Sequence, residues 1–236
     1  PLRFLGYLDV HPASFIPVSA RNGVNIAFRS GDMPWYDGPT VLEQVDAFEK
    51  RRGDVQKMFR FPVQDIYKFT AAGDDRRIVS GTVSTGRAKV GDDVVFYPSG
   101  KESTIALIEA FNAEPGDTIE AGMATGVTLT TQIYIKPGEL MVRKSDPAPH
   151  VGRRFRCNMF WMGRPPMVKG KEYKLKIGSS GVQSELADIV QVLDASELTT
   201  VENKQQIERH DVAECVIESV RPIAFDLRNE LEAMGR

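Results

Sequence analysis

The chain has 236 residues, with 42% hydrophobic and 26% charged residues, which is ordinary for a globular protein and allows one large or two medium domains. A net charge of −2 gives no global reason to expect a nucleic-acid partner. No apolar run approaches the ~18 residues of a membrane-spanning helix, and the N-terminus lacks the pattern of a secretory signal. We therefore expect a cytoplasmic protein without a membrane partner.

The cysteines and histidines do not form a recognisable reactive centre. Cys157 and Cys215 lie far apart in the sequence, in no CxxC motif and no Cys/His cluster. This arrangement predicts neither a metal site nor a disulfide framework, and we expect reduced thiols. The histidines, His11, His150 and His210, lie in unrelated contexts, and no serine or cysteine near them forms a nucleophile arrangement. We expect no catalytic residue and no metal ligand.

The apolar run Phe15–Val18 is predicted to be a buried strand that ends in the polar turn Ser19-Ala20-Arg21. Open α/β sheets bind ligands at the carboxyl ends of their strands, so this turn is the candidate binding loop. The string FIPVSARNGVNI resembles the last guanine-contacting loop of P-loop GTPases. The resemblance implies that the Ser19-Ala20 main chain reaches the guanine O6 and that Arg21 packs beside the base. On this short motif alone, an ordinary strand-to-turn junction stays open.

A helix is predicted after the turn-rich segment that ends at Gly38. Pro39 suits a first helical turn, and basic residues come at the helix end, before Gly53. Its apolar face would hold Val41, Leu42, Val45 and Phe48. The phrase MPWYDGPTVLEQVD resembles the end of the GTPase domain in elongation-factor-like proteins, notably the GTP-binding subunit of sulfate adenylyltransferase. Residues 1–53 are therefore expected to be the C-terminal remnant of an α/β P-loop GTPase domain, with its last strand and helix.

Alternating apolar runs, such as Val63–Phe69 and Ile78–Val83, follow a charged linker. Turns with glycine, proline or aspartate separate these runs at regular spacing, which predicts a small all-β barrel over residues 58–143. The string VSGTVSTGRAKVGDDVVFYPSGK resembles the second domain of translation-type GTPases. We expect the stretch Phe59–Tyr97 to transmit a nucleotide-dependent change between its neighbours, and substitution of Gly81 or Gly86 to interrupt that transmission.

A second set of alternating runs follows the proline-containing linker KSDPAPH. The segments WMGRPPMVKGKEYKLKIGSSGV and RPIAFD resemble the third domain of the same GTP-binding subunit. A second barrel is expected over residues 151–236, with its final strand missing, because one more apolar strand follows in that family. The expected fold class is thus mainly β: two consecutive small β-barrels, like domains 2 and 3 of elongation factors, preceded by the end of a GTPase domain.

No phosphate-binding P-loop occurs in this sequence. The pairs Gly100-Lys101 and Gly170-Lys171 are each followed by glutamate and lack the earlier glycine that G-x4-G-K-[ST] requires. There is also no Asn-Lys-x-Asp guanine-binding motif. One backbone hydrogen bond contributes about 1 kcal/mol net, whereas micromolar affinity needs about 8 kcal/mol. We expect no bound cofactor and no complete active site in this chain alone.

The resemblance covers nearly the whole sequence and implies the C-terminal region of the GTP-binding subunit of sulfate adenylyltransferase. In that family the whole protein is an enzyme that binds GTP with Mg²⁺ and couples its hydrolysis to adenylylsulfate formation in sulfate assimilation. A smaller adenylyltransferase subunit is the implied partner. The main alternative is a tRNA-delivering elongation factor of the Tu type, with a surface for the tRNA acceptor end. A two-barrel interaction module without a nucleotide link is the third interpretation.

Overall fold

The computed structural model describes residues 12–49, 54–68, 76–109, 116–194, 199–201 and 204–235. The chain divides into two compact units, Pro1–Arg52 and Gly53–Arg236. All the described strands belong to the second unit, and the predicted fold class, mainly β, is confirmed. No helix within the described ranges is long and apolar enough to cross a membrane.

Among the residues of the first unit that the structure describes, one short helix occurs, α1 (Val41–Asp46). The Thr40 hydroxyl accepts a hydrogen bond from the Glu43 N–H at 3.2 Å, and the Glu43 carboxylate accepts one from the Thr40 N–H at 2.7 Å. This reciprocal pair is a capping box, which satisfies two of the N–H groups that a helix start leaves without partners. The bond from the Thr40 main chain lowers the pKa of the Glu43 carboxyl, because it stabilises the charged form.

The helix is shorter than predicted, and most of its expected apolar face is exposed. It ends at Asp46, and Leu42, Val45 and Phe48 are exposed. The predicted basic end and the stop at Gly53 lie outside the described residues.

The prediction of a buried strand at Phe15–Val18 is wrong. These residues form no strand, and Phe15 and Val18 are 52% and 44% exposed. A strand is stable only when its N–H and C=O groups pair with a neighbour. Within residues 12–49 the only pairings are isolated bridges, such as Ser19 with Val24. Apolar composition alone therefore gave a false strand signal.

The predicted first barrel is confirmed. Six strands close it in the order β1-β2-β7-β5-β4-β8, and β3 pairs with β6 beside it. Alternating side chains along these strands form one core, which includes Phe61, Val63, Phe96 and Met141. The strands are β1 (Phe61–Lys68), β2 (Arg77–Thr82), β3 (Arg87–Lys89), β4 (Asp93–Tyr97), β5 (Lys101–Glu109), β6 (Thr118–Glu120), β7 (Ala124–Leu129) and β8 (Leu140–Arg143).

The remaining strands build a second sheet in the order β11-β12-β15-β9, with β13 on β12 and a separate pair, β10-β14. Among the described residues β9 and β11 are its edges, and the expected closure by one more strand stays a prediction. Alternate residues of β15 are buried, which gives the sheet one apolar face. The strands are β9 (His150–Phe160), β10 (Met167–Val168), β11 (Glu172–Ile177), β12 (Ser180–Asp194), β13 (Thr199–Val201), β14 (Gln206–Ile207) and β15 (Asp211–Phe225).

Candidate functional site

The predicted binding residues Ser19, Ala20 and Arg21 lie together in one tight turn of the first unit. The Ser19 carbonyl accepts hydrogen bonds from the N–H groups of Asn22 and Val24, each at 3.2 Å, and the Ser19 N–H donates to the Val24 carbonyl at 3.3 Å. Ala20 and Arg21 are exposed at the tip of the turn. Within the described residues the Ala20 N–H has no hydrogen-bond partner, so it can donate to an acceptor from outside the turn.

Asn25 holds this turn in place, and the sequence analysis missed it. Its side chain is buried; Nδ2 donates to the Pro17 carbonyl at 3.0 Å, and Oδ1 accepts from the Ser30 N–H at 3.2 Å. The Asn25 carbonyl accepts from the Val41 N–H at 3.0 Å, which ties the turn to the start of α1. Asn25 has φ of 55°, a left-handed conformation that asparagine tolerates better than most residues. The second asparagine of the string RNGVN, Asn25, is the sequence feature that could have identified this residue.

A second functional candidate, absent from the sequence-based predictions, is the junction between the first barrel and the second sheet. Arg60 and Asp226 form a buried ion pair there, with side chains 0% and 3% exposed. The Arg60 Nε donates to Asp226 Oδ2 at 2.9 Å, and Nη2 donates to Oδ1 at 2.8 Å. The geometry is bidentate, the arrangement that makes guanidinium–carboxylate pairs strong and directional.

The remaining donors of Arg60 bind the main chain beside the barrel and in the linker. Nη1 donates to the Phe59 carbonyl at 3.1 Å, and Nη2 also donates to the Pro147 carbonyl at 3.0 Å. Pro147 belongs to the predicted linker between the barrels, so one side chain joins the barrel, the linker and the end of β15. Removal of either charge would leave the other buried without its partner.

Asp146, the residue before Pro147, also binds the linker to the barrel. Its Oδ2 accepts from the Phe59 N–H at 2.6 Å, and its Oδ1 accepts from Arg143 Nη2 at 2.6 Å. The predicted linker is therefore hydrogen-bonded to the barrel through two adjacent residues, Asp146 and Pro147.

Apolar packing completes the junction. One buried cluster combines residues of β8 with residues of β15 and of the turns that follow it: Leu140, Val142, Ala224, Leu231 and Met234. Backbones also approach closely here, because a Cβ on Gly138 would lie 3.2 Å from the Ser180 Cα. Gly178 would place its Cβ 3.4 Å from the ring of Pro62. The junction thus has the buried polar and apolar contacts of a fixed interface rather than of a flexible linker.

Gly81 and Gly86, which were expected to serve transmission, have a structural reason to be glycine. A Cβ on Gly81 would lie 2.3 Å from the Pro62 carbonyl oxygen. Gly86 has φ of +73°, and its Cβ would lie 2.5 Å from the Phe59 Cα. Both contacts are with main chain that cannot move aside cheaply. Substitutions there would distort the barrel, so they cannot test transmission.

The described residues contain no group of three or more His, Cys, Asp and Glu side chains that could hold a metal ion. Arg60 and Asp226 lie 166 residues apart, which explains why sequence patterns did not pair them. The one available signal was a charged residue between two aromatic residues in FRF, at a position where a core-facing run begins.

Comparison with known proteins agrees with this architecture. Residues 154–236 match the family described as GTP-eEF1A C-terminal domain-like. Over 99% of its length the chain is 31% identical to sulfate adenylyltransferase subunit 1 of Chromobacterium violaceum, and it covers 48% of that protein. Over 100% of its length it is 33% identical to elongation factor 1-alpha of Pyrobaculum islandicum, of which it covers 52%.

A crystal structure of sup35 complexed with GDP superimposes with a TM-score of 0.69 at 20% identity, over 94% of this chain and 54% of that one. At this identity the likeness shows the fold. The chain spans about half the length of the curated relatives it matches. The resemblance to the GTP-binding subunit of sulfate adenylyltransferase is thus confirmed along the whole chain, which is similar to that subunit and to elongation factor 1-alpha alike.

Proposed function

We propose that this chain is the C-terminal region of the GTPase subunit of a sulfate adenylyltransferase, in which GTP hydrolysis is coupled to adenylylsulfate formation from ATP and sulfate. The observation that carries the proposal is the match to sulfate adenylyltransferase subunit 1 over 99% of the chain. Further support comes from a closed barrel followed by an elongation-factor-like C-terminal domain.

The Ser19 turn would contribute the edge of the guanine site. An exposed turn whose Ala20 N–H lacks a partner within the described residues fits a donor to the guanine O6. A single such bond contributes about 1 kcal/mol net. The rest of the affinity, including Mg²⁺ and the phosphate contacts, would come from residues outside this sequence, which has no P-loop. We expect isothermal calorimetry of this chain with GTP or GDP to detect no micromolar binding.

The second unit would carry the response to the nucleotide. The Arg60–Asp226 pair and the hydrogen-bonded linker join the barrel to the second sheet. Because this junction is rigid, a displacement of the barrel would move the second sheet with it. The implied partner is the smaller adenylyltransferase subunit, which would perform the adenylyl transfer. In this scheme the chain supplies no catalytic group; it supplies a rigid body between the GTPase domain and the partner.

The test uses the full-length protein that contains this sequence, co-expressed with a candidate small subunit from the same genome. We expect the two to co-purify and ATP- and sulfate-dependent pyrophosphate release to rise when GTP is added. The absence of both a co-purifying adenylyltransferase and GTP stimulation would contradict the proposal.

A second candidate is a tRNA-delivering elongation factor, and one observation favours it. The identity to elongation factor 1-alpha of Pyrobaculum islandicum, 33%, is as high as the 31% identity to sulfate adenylyltransferase subunit 1 of Chromobacterium violaceum. Filter binding of aminoacyl-tRNA to the full-length protein with GTP separates the candidates. Nanomolar retention of aminoacyl-tRNA, without GTP-stimulated pyrophosphate release, would favour the elongation factor.

A further inference from the structure

The two cysteines of the chain lie directly opposite each other on neighbouring antiparallel strands. Cys157 of β9 is the register partner of Cys215 of β15, and their sulfur atoms are 3.9 Å apart. Directly opposed residues have Cα atoms about 4.5–5.5 Å apart, which lies inside the range of about 4.4–6.8 Å seen in disulfides. The backbone therefore already holds the two thiols at bridging distance.

The surroundings of the two thiols differ. Cys215 is fully buried in the core of the second sheet, beside Leu186 and Ile217. Cys157 is only partly buried, and it lines a cavity of about 470 Å³ whose walls come from both edge strands, β9 and β11. A small oxidant that enters this cavity can contact Cys157, whereas Cys215 is 0% exposed and does not line the cavity.

We propose that Cys157 and Cys215 form a reversible dithiol–disulfide pair that a hydroperoxide oxidises, with Cys157 as the attacking thiol and Cys215 as the resolving thiol. The proposal goes beyond the GTPase-linked function and does not depend on it. The sequence spacing did not indicate this pair, because only the strand register brings together residues 58 positions apart.

The chemistry balances in two steps. The Cys157 thiolate attacks the O–O bond of the hydroperoxide; the sulfur becomes a sulfenic acid, and the other oxygen leaves as an alcohol, or as water from hydrogen peroxide. The Cys215 sulfur then attacks the Cys157 sulfur, the S–S bond forms, and the hydroxyl group leaves as water with the Cys215 proton. Two electrons pass from the thiols to one peroxide.

The hydrogen bond between the two sulfurs supports this division of roles. It lowers the pKa of the Cys157 thiol, since the Cys215 S–H stabilises the neighbouring thiolate, and it raises the pKa of Cys215, which is further raised by burial. Because the thiolate is the nucleophile in such reactions, the thiol nearer the cavity is also the more reactive one.

The experiment treats the reduced 236-residue chain with a small excess of hydrogen peroxide and measures the intact mass without reductant. We expect a monomer about 2 Da lighter than the reduced chain, with both thiols blocked to maleimide and both restored by dithiothreitol. Cys215→Ser should stop at the first step, with a gain of about 16 Da on Cys157 that dimedone traps. Cys157→Ser should stay unmodified under the same conditions.

Circular dichroism before oxidation is the folding control: the two serine variants should keep the wild-type β content. A wild-type chain that gains oxygen without losing about 2 Da, or that forms covalent dimers instead, would overturn the proposal. Equal reactivity of the two single variants would overturn the assignment of Cys157 as the attacking thiol.

Discussion

The two units of this chain differ in how far their large aromatic side chains are exposed. In the first unit Phe28 is 83% exposed and Trp35 is 71% exposed, whereas in the second unit Phe59 and Phe61 are completely buried. The second unit can therefore be stabilised by its own buried apolar contacts. The described strands of the second unit build buried apolar cores. Residues 12–49 hold their turn and helix mainly through capping and side-chain hydrogen bonds.

Among the variants that test this difference between the units, Arg60→Ala should cause the largest loss in the free energy of unfolding. The variant leaves Asp226 buried without its partner, and loss of one member of a buried pair costs about 3–5 kcal/mol. The matched control is Arg156→Ala, since Arg156 pairs with Glu214 but is 66% exposed and should cost less than about 1 kcal/mol. Guanidinium unfolding of both variants measures the difference. Equal stability of the two would contradict the assignment of the junction as a buried, tightly coupled interface.

The next effect in size is Gly86→Ala. The added Cβ would lie 2.5 Å from the Phe59 Cα, at a φ of +73°. We expect a loss of about 2–4 kcal/mol, because strain and overlap add. Gly91→Ala is the control: its φ is +89°, but no atom lies within 4 Å of its Cβ, so only the conformational penalty of about 1–2 kcal/mol remains. A Gly86→Ala variant no less stable than the control would show that the contact relaxes freely.

In the first unit, loss of the capping box should lower the stability of α1 without affecting the barrel. Thr40→Ala removes the acceptor for the Glu43 N–H, and we expect about 1 kcal/mol of lost helix stability. Hydrogen exchange of the α1 amides should accelerate about fivefold, as 1 kcal/mol implies, with no change in the barrel amides. Thr40→Ser keeps the hydroxyl and should restore protection. Exchange that changes in the barrel as well would indicate that the two units are energetically coupled.

The smallest expected effect is a pH dependence at Glu230. The His150 ring Nε2 lies 2.9 Å from Glu230 Oε2, and this bond, with the Leu227 N–H, lowers the pKa of Glu230 below its ordinary value of 4.5. A carboxyl group with a lowered pKa stabilises the fold above its unfolded pKa, and the stabilisation disappears as the pH falls through the folded pKa. The stability difference between wild type and Glu230→Gln should therefore shrink in that range. A difference that does not vary with pH would refute the linkage.

The sequence predicted the first barrel well because its signals are local. Alternation and turn residues within a few positions of each other decide a strand and its turns, and the stretch from Val63 to Val83 shows both. The predicted strand at Phe15–Val18 failed for the opposite reason: an apolar run becomes a strand only when a partner strand lies beside it. The Ser19 turn was placed correctly in sequence, but its guanine contact stays a prediction.

The junction and the cysteine pair could not be predicted from spacing. Arg60 meets Asp226 and Cys157 meets Cys215 only after the sheets are folded and in register. The residues next to each of these four positions in the sequence do not indicate the contact. The usable hint was chemical: an arginine flanked by two aromatic residues in an apolar run requires a buried counter-charge somewhere in the fold.

The most direct test of the proposed coupling compares the wild-type full-length protein with Arg60→Lys, each together with the small subunit. The quantity measured is the GTP dependence of adenylylsulfate formation. Lysine keeps the charge but cannot form the bidentate pair with Asp226. We expect the variant to hydrolyse GTP and to bind its partner, while GTP stimulation of adenylyl transfer falls by about tenfold, the equivalent of roughly 1.4 kcal/mol of lost coupling. Stimulation equal to that of the wild type would contradict a role for the junction in coupling.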